Sequence, residues 1–234
     1  NIERPDAAPL TQQVSDKQKE IIGGGVWEGL THVMRSPYLL GIALLMLMFT
    51  IVSTYLYFAQ IAIVNEAFGD DRVARTQLFA NRDVIVNSIT LVVQMFLTGR
   101  ILRWLGIGVS LALLPLVSFV GFGMLAVAPV LLVVIAFDVI RRAGNFAIQR
   151  PARESLYTVV SRTDKYKAKN FNDTFVYRVG DQVGAWSYTA MAWFGMGLTG
   201  LALTMLPVSL LWFFLALWLG RKYKDTYQEQ TESR

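Results

Sequence analysis

The chain has 234 residues, of which 54% are hydrophobic and only 17% charged, with a net charge of +5 and a mean hydropathy of +0.42. Soluble domains carry more charge and fewer apolar residues, so this composition excludes an ordinary soluble domain and indicates an integral membrane protein. The absence of cysteine excludes a disulfide framework, a thiolate metal site and a cysteine nucleophile, and the single histidine, His32, excludes most multi-histidine metal sites.

The first element is a polar segment, residues 1–37, which we interpret as a cytoplasmic linker ending in a short amphipathic helix. Its apolar residues recur at helical spacing: Trp27, Leu30, Val33 and Met34. Such a helix lies at the membrane surface or packs on its own domain as an ordinary linker helix. The chain begins without Met and without a charged n-region, so we expect no signal peptide and further sequence upstream.

Six hydrophobic blocks follow, each supplying the ~20 mostly apolar residues that a membrane-spanning helix needs. The predicted spans are residues 38–60, 78–104, 107–128, 129–150, 168–195 and 199–220. Polar connections are expected at 60–78 and 150–168, and a cytoplasmic tail at 221–234. The sequence therefore predicts an all-α polytopic membrane protein whose region 38–220 is a six-helix transmembrane bundle.

Lysine and arginine are distributed unevenly between the two sides that six spans define. The side with both termini holds 18 of the 22 basic residues, counting Arg100, Arg103, the 141–169 region, the N-terminal segment and the tail. Cytoplasmic loops are enriched in Lys and Arg, so both termini are predicted to be cytoplasmic. Membrane topology thus accounts for the positive charge, and no nucleic-acid partner is expected.

Four spans carry a polar stripe at helical spacing, whereas the third and sixth spans contain no charge. The stripes are Thr50, Ser53, Thr54, Tyr57 and Gln60; Asp83, Asn87, Thr90, Gln94 and Thr98; Asp138, Arg141, Arg142, Asn145 and Gln149; and Asp173, Thr174, Tyr177, Arg178, Asp181 and Gln182. A charge at the centre of a membrane helix costs ~2.5–3.5 kcal/mol. The stripes therefore indicate a shared aqueous cavity, partner charges, or both.

The order polar, polar, apolar occurs twice along the spans. This order predicts a three-helix unit used twice, the 3+3 repeat expected in each half of a major-facilitator carrier. In that architecture two helices of each triplet line the central cavity and the third is peripheral.

Residues 149–182, QRPARESLYTVVSRTDKYKAKNFNDTFVYRVGDQ, resemble the ATP/ADP antiporters of bacteria and plastids, which are major-facilitator-like carriers. The shared elements are Pro151, Arg153-Glu154, Tyr157, Lys167-Ala168-Lys169, Asp173 and Arg178-Val179-Gly180. The run GRILRWLG, residues 99–106, is similar to a major-facilitator loop signature but lacks its acidic residue.

The resemblance implies the C-terminal half of a twelve-helix nucleotide exchanger in a bacterial inner membrane, completed by a second six-helix half. One departure matters. Where nucleotide carriers tend to place a lysine after Arg-x-Gly, this chain has Asp181. An acid there removes a phosphate-pairing cation, so the expected substrate widens to other small phosphate or carboxylate compounds.

The predicted function is a secondary transporter in which two halves rock about a central site for a small anionic solute. The predicted anion contacts are Arg141, Arg142 and Arg178. The predicted counter-charges or proton-coupling groups are Asp138, Asp173 and Asp181. The remaining cavity residues are Tyr57, Gln60, Asn87, Gln94, Asn145 and Tyr177. No enzymatic activity, metal or other cofactor is predicted.

Two alternatives stay open. In the first, charges three or four residues apart on the fourth and fifth spans neutralise one another and only lock the helices. In the second, the chain is a transport-inactive structural subunit of a larger membrane complex that keeps a transporter-derived fold. Gly180 and Gly184 are predicted to allow close helix packing. Arg150, Arg153 and the lysines at 165, 167 and 169 are predicted to belong to a solvated, positively charged cytoplasmic loop.

Overall fold

The computed structural model describes residues 33–34 and 36–232, without the side chains of residues 162 and 163. This part of the chain is helical and contains no strand, which confirms the all-α class for it. The predicted amphipathic helix of residues 1–37 lies almost entirely outside the described residues.

Eight α-helices follow one another between Pro37 and Glu232. They are α1 Pro37–Phe68, α2 Arg72–Phe96, α3 Thr98–Val127, α4 Leu131–Gly144, α5 Arg150–Leu156, α6 Arg162–Phe171, α7 Tyr177–Trp193 and α8 Leu198–Glu232. A π-helical turn, Asn145–Gln149, joins α4 to α5, and a second one, Asn172–Val176, joins α6 to α7. A 3₁₀ turn, Tyr157–Val159, follows α5.

Local sequence signals explain where α1 begins and ends and where α2 begins. The Ser36 hydroxyl accepts a hydrogen bond from the N–H of Leu39 at 3.4 Å, and Pro37 occupies the first helical position. Gly69 follows α1 with a φ of 51°, a left-handed conformation that favours glycine. The Asp71 carboxylate then caps α2 by accepting from the N–H of Ala74 at 3.0 Å.

The boundary between the second and third spans differs from the prediction. The second span is predicted over 78–104, but α2 ends at Phe96 and residues 98–105 form the first part of α3. Gly106, with a φ of 73°, then interrupts the helical backbone inside α3. The break is hidden in the sequence because apolar residues continue on both sides of it.

Three helices, α1, α3 and α8, are long and apolar enough to cross a membrane. Their lengths of 32, 30 and 35 residues exceed the ~20 residues that a span requires. The other predicted spans differ in kind: α4 and α7, of 14 and 17 residues, adjoin π turns, and α2 carries four charges in its first half. The described chain therefore has the composition of an integral membrane protein.

The helices pack in a defined set of pairs around α1. Helix α1 contacts α7, α8 and α4, while α3 packs along α8 and against α4, and α2 packs mainly on α4. The largest side chains of the core come from several of these helices and are fully buried: Tyr55, Phe122, Tyr157 and Trp212. The core therefore lies between α1, α3 and α8.

Glycines allow the closest of these contacts. A Cβ at Gly180 would overlap the Thr50 side chain, and one at Gly184 would lie 2.9 Å from Thr54, so α7 meets α1 at close range as predicted. Gly108 and Gly220 make the same kind of approach between α3 and α8, where a Cβ on Gly108 would lie 3.0 Å from the partner glycine's Cα.

The connection from α5 to α7 is folded onto the bundle. The Tyr38 hydroxyl donates to the carbonyl of Leu156 at 2.8 Å. Lys169 forms an ion pair with Glu154 at 2.7 Å, so this lysine is not a simple solvated loop residue as predicted. The far end of α8 joins the same region, because the Gln230 amide donates to the carbonyl of Val159 at 2.9 Å.

Candidate functional site

A cavity of about 460 Å³, hereafter the polar cavity, lies between α1, α4 and α7. Its wall contains eight of the twelve predicted site residues: Tyr57, Gln60, Asp138, Arg141, Arg142, Asn145, Tyr177 and Asp181. The polar stripes of α1, α4 and α7 therefore do converge on a common space.

Asp138 is the centre of a charge cluster at one side of this cavity, in which Asp138 and Arg82 are buried and Asp83 and Arg142 are partly exposed. Its carboxylate lies 3.1 Å from Arg142 Nε on the same helix and 3.3 Å from Arg82 Nη1 on α2. Arg82 also lies 2.8 Å from the Asp83 carboxylate and donates to Gln60 Oε1 at 3.2 Å. The two arginines and two aspartates compensate one another, so the cluster carries no net charge.

Arg82 is the residue that the sequence prediction missed. It lies ten residues into α2, where it is only 7% exposed. Its guanidinium also lies 4.8 Å from the centroid of the Phe79 ring. The available signal was the neighbouring Asp83, because an arginine next to an aspartate within a helix already suggested a local ion pair.

Arg141 is a buried cation of a different kind. It is 7% exposed, its Nη1 donates to the Ser53 hydroxyl at 2.8 Å, and its guanidinium lies 5.7 Å from the centroid of the Phe49 ring. No carboxylate among the described residues forms an ion pair with it, and its buried Nε has no hydrogen-bond acceptor there. Arg141 therefore retains donor capacity within the polar cavity.

Two further polar groups of the cavity wall have unused hydrogen-bonding capacity. Among the described residues, Gln60 Nε2 and Asn145 Oδ1 are buried without a hydrogen-bond partner. Buried amide groups normally have partners from protein, water or ligand. Satisfying these two groups requires a water molecule or a polar group from outside the described residues.

Asp181 brings a negative charge to the opposite wall. Its carboxylate accepts a hydrogen bond from the Thr54 hydroxyl at 3.3 Å. With Asp138 it provides two acids against three arginines, at 141, 142 and 150, in the lining of the polar cavity. The formal charge of this lining is therefore slightly positive.

Arg178 lies elsewhere, contrary to its predicted place in the common cavity. It is exposed in a separate groove of α7 with Phe175 and Trp186. Gly180, two residues further along, faces α1, and two residues correspond to about 200° around a helix. Arg178 therefore points away from α1. Among the described residues, it forms no ion pair with Asp181.

Gln94 and Asp173 line a second space of about 610 Å³, hereafter the outer pocket. The Gln94 amide donates to the carbonyl of Phe146 at 3.0 Å. The outer pocket shares part of its wall with the polar cavity: Phe146, Arg150 and Tyr177. Asn87, by contrast, is exposed on α2 and lines neither space.

The outer pocket is rich in charged groups. Its lining contains the cations Arg150, Arg153 and Lys169 and the acids Glu154 and Asp173. Arg150 lies over the Phe146 ring, with 4.6 Å between its guanidinium carbon and the ring centroid. Because the two spaces share part of their wall, the outer pocket lies next to the polar cavity.

Comparison with protein-family models, with curated proteins and with solved structures finds no match to this chain. The role of the polar cavity is therefore argued from its own geometry and charge.

Proposed function

We propose that the chain is one six-helix half of a major-facilitator-type secondary transporter, and that its polar cavity holds a small anionic solute. The observation that carries this proposal is Arg141. A buried guanidinium without a counter-charge is costly, because desolvation is not offset by an ion pair. A phosphate or carboxylate of a solute would supply that counter-charge with charge-assisted hydrogen bonds.

The contrast with Arg82 and Arg142 sharpens this argument. Both of those arginines already have an aspartate within 4 Å, so a solute would have to displace an existing partner. Arg141 instead has the neutral hydroxyl of Ser53 and the face of the Phe49 ring, and no carboxylate of the described residues within ion-pair distance. The solute's anionic group would therefore bind at Arg141, with the charge cluster around Asp138 holding α2 against α4.

The pairing of helices supports a three-helix unit used twice. Exchanging α1 with α4, α2 with α7 and α3 with α8 converts the α1–α7 contact into the α4–α2 contact, and the α1–α8 contact into the α4–α3 contact. The α3–α8 and α1–α4 contacts map onto themselves. A 3+3 repeat produces this relation, and in it α3 and α8 are the peripheral pair.

Transport requires a second half opposite α1, α4 and α7. Six helices would line one side of the pathway, and rocking of the two halves would expose the solute to either side of the membrane in turn. The outer pocket would then be the entry route on its side. Adenine nucleotides are the first solutes to test, because of the resemblance of residues 149–182 to ATP/ADP antiporters.

The decisive experiment is uptake into proteoliposomes containing the complete carrier. We expect Arg141→Gln to reduce uptake of the transported anion at least tenfold, and Arg141→Lys to restore part of it because the charge remains while the planar fork is lost. Arg72→Gln, at the exposed start of α2, is the matched control and should retain uptake. Full uptake by Arg141→Gln would refute the proposal.

The charge cluster around Asp138 favours a second candidate function, a structural subunit that has kept a transporter-derived fold. Its charges are satisfied within the chain, so it holds α2 in place without any solute. If the wild-type protein transports none of the tested anions and copurifies in fixed stoichiometry with other subunits of a membrane complex, this second function replaces the first.

A further inference from the structure

A groove of about 700 Å³ runs between α3 and α8, away from the proposed solute site. It shares no lining residue with the polar cavity or the outer pocket. It is formed by two of the three helices that are long and apolar enough to span a membrane. What it could bind is therefore a question separate from transport.

The groove exists because glycines bring two backbones together. Gly108 and Gly220 meet with no side chain between them, and the backbone of α3 departs from helical geometry at Gly106, just beside this contact. Backbone atoms of these glycines therefore form the floor of the groove. Apolar side chains form the walls, among them Ile107 and Leu217.

One end of the groove is strongly basic. Arg103, Arg221 and Lys224 belong to its lining, which contains no acidic residue. All three are exposed, and no ion pair to an acid is found for them among the described residues. Arg103 uses its Nε to donate to the carbonyl of Gly99 at 3.1 Å, and its terminal nitrogens form no hydrogen bond with the described residues.

The same end carries an exposed indole. Trp104 is 80% exposed beside these cations and lines the groove. Tryptophan side chains concentrate at the headgroup level of membranes, because one edge is polar and the ring is apolar. The apolar helix surface of α8 also gives way at this point to the polar sequence that begins at Arg221.

We propose that this groove binds an anionic phospholipid. Its headgroup phosphate contacts Arg103, Arg221 and Lys224, and an acyl chain lies along Ile107 and Leu217. An apolar channel with cations at one end matches an amphiphile that is negative at one end, and basic pockets between membrane helices bind such headgroups. Free phosphate would use only the basic end and leave the apolar walls uncovered.

The test uses the full chain, purified in detergent, with lipid binding followed by native mass spectrometry. We expect phosphatidylglycerol to bind more tightly than phosphatidylcholine of the same acyl chains. Arg221→Gln and Lys224→Gln should each weaken phosphatidylglycerol binding about fivefold, since a basic residue near an anionic headgroup contributes about that factor. Lys222→Gln, on the same helix but outside the groove lining, is the matched control and should change binding less than twofold.

Two further arms separate the sources of the phosphate. Dihexanoyl phosphatidylglycerol should bind more weakly than the dioleoyl lipid because it covers less of the walls, and millimolar inorganic phosphate should not displace the dioleoyl lipid. Equal binding of the anionic and zwitterionic lipids, displacement by inorganic phosphate, or an equal loss in Lys222→Gln would each overturn the proposal. Unchanged thermal melting of each variant shows that its fold is intact.

Discussion

The guanidinium of Arg82 on α2 lies 3.3 Å from the carboxylate of Asp138 on α4, and both side chains are buried. Arg82 and Val86 are the only buried residues of α2, and the Gln94 amide adds a hydrogen bond to the carbonyl of Phe146. An ion pair in the interior is therefore a principal attachment of this helix to the bundle. Helices α1, α3 and α8 are held in the bundle mainly by apolar packing.

Replacing Arg82 by Met should destabilise the bundle. Asp138 would keep Arg142 as its cation, so we expect the loss of the Arg82 contacts to cost about 1–3 kcal/mol, less than leaving a buried charge unpaired. Denaturant titration in detergent measures the loss. Arg72→Met, at the exposed start of the same helix, should change the free energy of unfolding by less than about 0.5 kcal/mol. Equal stability of the two variants would show that α2 is held by other contacts.

Replacing Gly180 by Ala should force α7 away from α1. The added methyl group meets the Thr50 side chain, and overpacking of this kind costs about 1–3 kcal/mol. Gly197→Ala is the control, because a Cβ there has no neighbour within 4 Å. Thermal melting compares the two. Adding Thr50→Ala to Gly180→Ala should recover part of the loss, and the absence of any recovery would place the strain elsewhere.

Replacing Asp181 by Asn should strengthen the binding of an anionic solute. The substitution removes a negative charge from the wall of the polar cavity while keeping an oxygen that can accept from Thr54. We expect the KM for the transported anion to fall about fivefold. This is the effect of removing one negative charge that repels the solute across water. Uptake kinetics in proteoliposomes test this. Complete loss of uptake would instead assign Asp181 the proton-coupling role.

The stability of the protein should decline at alkaline pH through Tyr157. Burial raises the pKa of this hydroxyl to about 12, although the hydrogen bond from the Asn172 amide opposes the shift. The folded state then holds a proton that the unfolded state releases near pH 10. This contribution is complete below pH 10 and is lost as the pH rises towards 12.

Tyr157→Phe provides the comparison for that pH dependence. We expect the slope of melting temperature against pH between 9 and 11 to be shallower in the variant than in the wild type. At neutral pH the variant should be less stable by about 1–3 kcal/mol, because the buried Asn172 amide loses its acceptor. Parallel slopes would contradict the assignment.

Helical periodicity predicted the polar cavity well where the helix is regular. Gln60 on α1 and the pair Asp138 and Arg142 on α4 meet because each stripe keeps its phase along its own helix. On α2 the prediction holds in part: Asp83 lies 3.7 Å from Arg142 and Gln94 bonds to the carbonyl of Phe146, but Asn87 is exposed and lines neither space. The buried residue is Arg82, and one residue is a rotation of about 100°.

The fifth span shows a second physical reason for failure. The stripe from Asp173 to Asp181 assumes one continuous α-helical period, but the π turn Asn172–Val176 lies within it. A π turn uses more residues than an α-helical turn and rotates everything beyond it. Asp173 consequently lines the outer pocket and Asp181 the polar cavity. Arg178 and Asp181 both follow the π turn, so Arg178 lies outside both spaces because the predicted stripe is wider than the face of α7 that lines them.

Helix α8 is much longer than a bilayer is thick. Its 35 residues extend about 52 Å at 1.5 Å per residue, against ~30 Å of hydrocarbon. Its apolar stretch, residues 198–220, covers about 35 Å of that length, so the polar part from Arg221 onwards extends beyond the hydrocarbon. In that polar part Gln230 donates a hydrogen bond to the carbonyl of Val159. A shift of α8 along its axis would therefore displace the turn after α5 together with the helix.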